Sequence, residues 1–395
     1  MTVALQLPSQ TDSPAPFALN AVPEIHFGPG RARELAGDVQ AVAPGARRVL
    51  LVADAALAGL GLVAPLQAAL EAAGLAVALY DDIAGEPKAT QIDAAAEAAR
   101  RLPADAVIAL GGGSALDIGK VAAAIAPAEP AAMHYALATH PLPARSIPAV
   151  CVPTTAGTGS ELSATNIFAN AAGKKLWIWG QETKPKRVVL DPALTLSLPP
   201  ALTAWTGLDA FVHALESCTN RNATAGNSLT AWKALTLIAG ALETAVTQPG
   251  NLRARGDLLL GSALAGVSID NCGTAVAHNI SHALAGLAPV HHGLATALGL
   301  EVTLAWSIET DDGSFAAAAR ACGLDGADTL PGWYGDLMTR CGVARRLPPA
   351  FKAFDAAALG AEMRAPENQP MRRATARPVE DADLDRFAAA VMALA

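Results

Sequence analysis

Aromatic residues are scarce, at 4% of the 395 positions, and charged residues make up only 16%. So little charge excludes a disordered chain, which stays unfolded by carrying many charges and few apolar groups. A basic excess is also missing: 28 Lys and Arg stand against 36 Asp and Glu, a net charge of -8. Nucleic-acid binding draws mainly on neutralised phosphates, so no such partner is expected. The five cysteines (Cys151, Cys218, Cys272, Cys322 and Cys341) are dispersed and form no CxxC pair. This excludes a disulfide framework and predicts free thiols in a reducing compartment, hence a cytoplasmic location. The first twenty residues lack a basic stretch and are broken by prolines, so they read as a flexible tail and not as a secretory signal. No run of eighteen uncharged apolar residues occurs; Lys233 and Glu243 flank even ALTLIAGAL, and no membrane partner is expected.

Apolar residues, by contrast, reach 52%, much of it alanine. That favours a large, helix-rich core. The length predicts about two or three domains at roughly 100–200 residues each. In the first half, apolar runs alternate with helical patterns. Strands are expected at Arg48 to Asp54, Leu75 to Tyr80, Ala106 to Leu110, Ala149 to Val152 and Val188 to Leu190. Helices are expected at Val63 to Ala73, Gln91 to Arg101 and Ser114 to about Ala126. Such alternation argues for βαβ units with right-handed crossovers and a parallel sheet. Ile167 to Ala169 and Leu176 to Trp179 flank an Asn-Ala-Ala-Gly-Lys turn and read as a hairpin. After Leu198-Pro199-Pro200 the pattern becomes helical, and the Pro-Pro pair is a good helix start. The expected division is a tail over 1–20, an α/β domain over 21–198 and a helical domain over 199–395. Ala365 to Pro378 reads as a loop before the last helix.

Five of the eight histidines lie in the second half. Asp209 and His213 are four apart, as are His278 and His282, so each pair shares a helix face. With His292, the set offers one carboxylate and several imidazoles, a donor mixture that suits Zn or Fe(II) better than Ca or Mg. The plainer reading is a group of surface or hydrogen-bonded histidines. Gly111-Gly112-Gly113-Ser114 follows a strand and opens a helix, where bare glycine backbone and free N–H groups can receive a phosphate; it also reads as a tight strand-to-helix turn. A second loop, Pro153 to Glu161, packs small residues and hydroxyls after another strand. Asp54, at the end of the first strong strand, is placed to accept from a ribose 2′-OH, or simply to cap the next helix.

Taken in order, GGGSALDIGK (111–120), VPTTAGTGSE (152–161), TGLDAFVHALES (206–217) and AHNISHALAGLAPVHHG (277–293) resemble the iron-containing (group III) alcohol dehydrogenase family. FGPG (27–30) and NQPMRR (368–373) look like its early and late segments. The resemblance implies an N-terminal dinucleotide-binding α/β domain with a parallel sheet and an all-helical C-terminal domain, in a dehydroquinate synthase-like architecture. It implies metal ligands at Asp209, His213, His278 and His292, with Fe(II) as the ion and Zn competing for the same donors. His282 matches a non-ligand histidine near the nicotinamide. Asp54, Gly111, Gly112, Gly113, Ser114, Asp117, Thr154, Thr155, Thr158 and Lys175 match positions around NAD(H), with Lys174 as a competing alignment for the last. Thr165, Ile269 and Asp270 fall where a substrate pocket is expected. His291 replaces the family's usual proline before the last ligand. Trp177 and Trp179 are unusual and are expected to pack.

The implied activity is metal-dependent hydride transfer between nicotinamide C4 and a small alcohol or aldehyde. The implied assembly is a homodimer or larger homo-oligomer. Maleylacetate reductase and phosphonoacetaldehyde-type reductases share the fold and are the nearest alternatives. A catalytically silent nucleotide- or metal-binding protein is the alternative of a different class.

Overall fold

The computed structural model describes residues 15–83 and 85–395. Most of the expected tail thus lies outside the described residues. Its end is anchored: the Asn20 N–H donates to Asn271 Oδ1.

The chain opens with strand β1 (Glu24–Phe27) and helix α1 (Leu35–Val42), then β2 (Arg48–Ala53), α2 (Ala55–Gly59), α3 (Val63–Ala72), β3 (Ala76–Tyr80) and α4 (Ala89–Arg101). It continues through β4 (Ala106–Gly111), α5 (Gly113–Ile125) and β5 (Ala149–Pro153). Two further strands, β6 (Thr165–Ala169) and β7 (Lys175–Trp179), form a separate antiparallel hairpin before β8 (Arg187–Leu190). The six remaining strands make one parallel sheet in the order β1-β8-β5-β4-β2-β3.

Alternation along the strands divides the core. Leu50, Val52 and Val107 meet the apolar sides of α4 and α5. Val49, Leu51, Ile108 and Leu110 face the other way, onto α1 and α3. A sheet covered on both faces explains why β2 and β4 read as near-continuous apolar runs. β1 escapes sequence reading because EIHF is short, half polar and at the sheet edge. From β2 the chain runs first to β3 on one side and then to β4 on the other. The C-terminal ends of β2 and β4 therefore form a topological switch point, where an open α/β sheet leaves a crevice.

From Pro200 onward the described structure is helical: α6 (Pro200–Thr219), α7 (Ala225–Thr247), α8 (Leu252–Cys272), α9 (Val276–Leu287), α10 (His292–Ile308), α11 (Ser314–Ala321), α12 (Leu330–Arg340), α13 (Ala356–Met363), α14 (Gln369–Ala374) and α15 (Asp381–Met392). α6 is buried almost throughout from Thr203 to Thr219. α7 is long and apolar enough to cross a membrane, which the flanking charges concealed in the sequence; here Ala231, Leu235, Ile238 and Leu242 pack it into the helical core. The same core continues into the sheet through Ala109, Cys151, Val188 and Leu190. The segment expected as a loop over 365–378 instead carries a short 3-10 turn (Pro366–Asn368) and α14. Pro366 and Pro370 sit in first turns, where a missing N–H costs nothing. Asn279 Nδ2 donates to the Met363 and Asn368 carbonyls, and Met371 and Ala374 are buried, which holds this segment down.

Candidate metal centre and cofactor cleft

α6 presents Asp209 and His213 one turn apart. α8 ends at Cys272, Gly273 takes a left-handed φ of 73°, and the chain bends by 95° into α9, which brings His278 across α6. His292 is the first residue of α10. One ligand atom from each of Asp209, His213, His278 and His292 lies within 4.8 Å of all the others. His278 Nε2 is 3.7 Å and His292 Nε2 3.5 Å from Asp209 Oδ1. These separations are long for hydrogen bonds. Among the described residues, Asp209 Oδ1 and His278 Nε2 are both buried without a hydrogen-bond partner.

The outer nitrogens are engaged. His278 Nδ1 donates to Glu216 Oε2 at 2.6 Å, and His213 Nδ1 donates to the Gly157 carbonyl at 3.2 Å. His292 Nδ1 lies 3.0 Å from the Ser281 hydroxyl. Each ring is thereby held from its Nδ1 side. Two buried, partnerless polar atoms facing each other carry a large desolvation cost; a divalent cation removes it, and one carboxylate with three imidazoles is a fitting donor set.

Burial works to raise the Asp209 carboxyl, but the surrounding His213, His292 and His278 overcome it and hold it well below the carboxylate range. Burial depresses His213 and His292. It also works to depress His278, yet Glu216 and Asp209 prevail and push that ring up to about 9.

The structure distinguishes the neighbouring histidines. His291 stands outside the ligand group: it caps α10, its Nδ1 accepting from the Gly293 N–H, with its ring 5.0 Å from Trp205. Gly293 is required there because a Cβ would run into the Trp205 carbonyl. His282 is half-buried one turn beyond His278, its ring edge-on to His292 at 5.6 Å. Burial, and then the Lys175 ammonium, hold His282 well below its ordinary value. Lys175 pairs with Glu86 at 3.1 Å beside the histidines, whereas Lys174 points away to Glu367 at 2.6 Å.

The second part of the site is built from backbone. Ala53 pairs with Leu110 and Gly111 with Pro153, so Asp54, the glycine loop and Thr154 stand at three adjacent strand ends. The Thr154 N–H donates to the Gly111 carbonyl. A Cβ on Gly113 would lie 2.8 Å from Thr158 Cγ2, and one on Gly112 3.5 Å from Thr155. The two loops therefore face each other across bare backbone at the start of α5. Ser114 is half-buried and its hydroxyl donates to the Gly85 carbonyl. Asp54 caps α2 through the Ala56 N–H while facing Gly111, so capping and placement at the cleft coexist. A Cβ on Gly157 would meet Thr206 at 2.7 Å, and one on Gly159 would meet Gly266 at 2.5 Å. The loop is thus wedged between the sheet and helices α6 and α8, and this wedge links the two halves of the site.

Two expected site residues require correction. Asp117 does not face the cleft: its carboxylate is buried, accepting from the Ser160 hydroxyl and the Ile167 N–H beside Lys120. Asp270 is not a pocket lining: its side chain is 2% exposed, pairs with Lys184 and accepts from the Ala164 N–H. Thr165 lies half-buried on β6 opposite Trp179, and Ile269 half-buried on the last turn of α8. Trp177 is half-buried, but Trp179 is 47% exposed, contrary to the expectation that both pack. The sequence reading missed Glu216, Ser281 and the Gly157 carbonyl. Glu216 had a signal: it follows His213 by three residues on the same face of α6.

Comparison with known proteins agrees with this geometry. Residues 23–192 match the family model described as iron-containing alcohol dehydrogenase, and residues 203–346 match the C-terminal model of the same family. Long-chain-alcohol dehydrogenase 1 of Geobacillus thermodenitrificans is 33% identical over 72% of each chain. Sulfoacetaldehyde reductase of Bilophila wadsworthia is 34% identical over 71% of this chain and 72% of its own. Among solved structures, sulfoacetaldehyde reductase from Bifidobacterium kashiwanohense in complex with NAD+ aligns with a TM-score of 0.85 at 28% identity, covering 94% of this chain and 97% of that one. This chain belongs to the iron-containing alcohol dehydrogenase family. It is an oxidoreductase acting on CH–OH groups.

Proposed function

We propose that this chain interconverts a small primary alcohol and its aldehyde with NAD(H), as a homodimer or larger homo-oligomer in the cytoplasm. The observation that carries the reading is the convergence of Asp209, His213, His278 and His292, with the buried Asp209 Oδ1 and His278 Nε2 left partnerless among the described residues. The five free cysteines are compatible with a reducing compartment.

The chemistry supplied by the bound groups is Lewis-acid polarisation of the substrate oxygen and hydride transfer at the nicotinamide. The chain's own residues provide the rest. Asp209 supplies the one carboxylate, and His213, His278 and His292 the three imidazoles, that would hold a divalent cation. Gly111 to Ser114, at the N-terminus of the 13-residue α5, offer N–H groups and close backbone approach to a pyrophosphate. Asp54 keeps an oxygen for ribose hydroxyls and repels a 2′-phosphate. His282 is kept neutral by burial and Lys175 and is suited to relay a proton between substrate and solvent. The sheet and helical halves hold donor and acceptor in reacting geometry.

A second reading, reduction of an anionic aldehyde, is favoured by the likeness to sulfoacetaldehyde reductases and by the Lys175 ammonium beside the histidines. NADH oxidation with short neutral aldehydes, sulfonated aldehydes and keto acids, repeated with NADPH, tests both. The first reading expects neutral aldehydes with NADH to give the highest kcat/KM. A preference for the sulfonated substrates selects the second reading, and no turnover with any of them contradicts both.

A further inference from the structure

Glu216 is not in the ligand group, yet both oxygens of its carboxylate are engaged at one end of α9. Oε2 accepts from the Ala275 N–H at 2.7 Å and from His278 Nδ1 at 2.6 Å, and Oε1 accepts from the Ala277 N–H at 2.7 Å. The residue is 5% exposed. α9 has no side-chain cap of its own at Ala275, so a carboxylate reaching over from α6 satisfies donors that a helix start would otherwise leave open.

The chemistry of the three donors restricts His278. A carboxylate only accepts, so the proton of the neutral imidazole must sit on Nδ1. Nε2 is then a bare lone pair, and it is the atom left buried and partnerless opposite Asp209 Oδ1. The neighbouring ligands have weaker supports. His213 leans on a backbone carbonyl at 3.2 Å and His292 on a hydroxyl at 3.0 Å.

We infer that Glu216 is a positioning residue that sets the tautomer and ring orientation of His278 for metal binding, while fixing the start of α9 with the same carboxylate. This rests on the metal centre proposed above and adds a determinant of its affinity.

The isosteric amide exposes the role. A glutamine has one acceptor oxygen where the glutamate uses two. If its oxygen stays with His278 and Ala275, its NH2 group faces the Ala277 N–H, donor against donor. If it flips, the NH2 faces His278 Nδ1, and the imidazole proton must move to Nε2, the ligand atom.

The test is zinc titration of chelator-stripped full-length protein, parent against Glu216→Gln, with thermal unfolding and NADH binding measured on the same apo samples. Ligand-orienting partners of this kind change metal affinity by about 10–100-fold. The expected result is a zinc Kd raised by roughly that factor in Glu216→Gln, with NADH affinity unchanged and apo unfolding at a lower temperature than the parent's, since one buried N–H at the start of α9 loses its acceptor. A parental zinc Kd in the variant overturns the inference. If Glu216→Gln does not fold, Glu216→Asp, an acceptor-only side chain one methylene shorter, is measured instead. It too is expected to bind zinc more weakly, and a parental Kd again overturns the assignment. Failure of both variants to fold would make Glu216 a folding residue and likewise overturn it. Absence of zinc binding by the parent itself would instead remove the metal centre, and so identify which of the two readings had failed.

Discussion

The helical half builds its part of the site from side chains, and the sheet half builds its part from backbone. Asp209, His213, His278 and His292 converge because helix period and one sharp turn aim them inward. Gly111 to Gly113 and the Thr154–Thr158 loop instead make room, by lacking atoms where Cβ groups would collide. Substitutions on the first side should remove chemistry, whereas those on the second should obstruct binding and leave the chemistry intact.

The largest effect is expected for His278→Ala. It should lose the metal and reduce kcat/KM by about three orders of magnitude or more, since Lewis-acid assistance is worth several kcal/mol. Metal analysis and an NADH-linked assay check this. His282→Ala sharpens the contrast within α9: kcat should fall by roughly 10²–10⁴-fold with metal content unchanged, and equal metal loss in the two variants would erase the distinction between them. On the sheet side, Gly113→Val places a branched side chain against Thr158. The NADH KM should rise about tenfold or more, as overpacking costs ~1–3 kcal/mol, while bound metal stays at the parental level. Asp54→Ala should lose about 1 kcal/mol as a helix cap and narrow the preference for NADH over NADPH. Urea unfolding and the two cofactors' kcat/KM values measure this pair of effects, and an unchanged preference would confine Asp54 to capping.

The smallest effect lies at the opposite end of the sheet from the cleft. The Arg48 guanidinium, and next the Arg47 N–H, hold Asp105 at about 2 instead of 3.8. A depressed carboxyl stabilises the fold above its unfolded value, and that contribution is lost as pH falls through 3.8 towards 2. The stability gap between parent and Asp105→Asn should therefore be flat at neutral pH and close over that acidic window, with kinetics at neutral pH unchanged. A gap that persists at the acid end would show that the pair's charge does not matter.

The same contrast decides what could be read from the sequence. The strands β2, β4 and β5 are visible within a residue or two, because buried parallel strands are uninterrupted apolar runs; β3 and the hairpin are visible from short apolar runs beside turn residues. β1 is not, being four half-polar residues at an edge, and α14 is masked by prolines that fit a first helical turn. Asp209 and His213 are visible as an i,i+4 pair on an apolar helix, and His278 through its spacing from His282, which is not in the ligand group. His291 and His292 are separable only once the α10 start is known, since one caps the helix and the other is its first residue. Asp117 and Asp270 carry the right charge at the right motif positions, but their direction depends on tertiary neighbours, Ser160 with Ile167 and Lys184 with Ala164. Glu216 had the spacing of a site residue and lacked only the partner that gives it meaning.

Metal content after anaerobic purification, compared between His291→Ala and His292→Ala, tests the four-ligand centre most directly. Parent and His291→Ala should each retain about one divalent ion per chain, and His292→Ala should retain almost none. Full occupancy in His292→Ala, or loss confined to His291→Ala, would contradict the centre formed by Asp209, His213, His278 and His292.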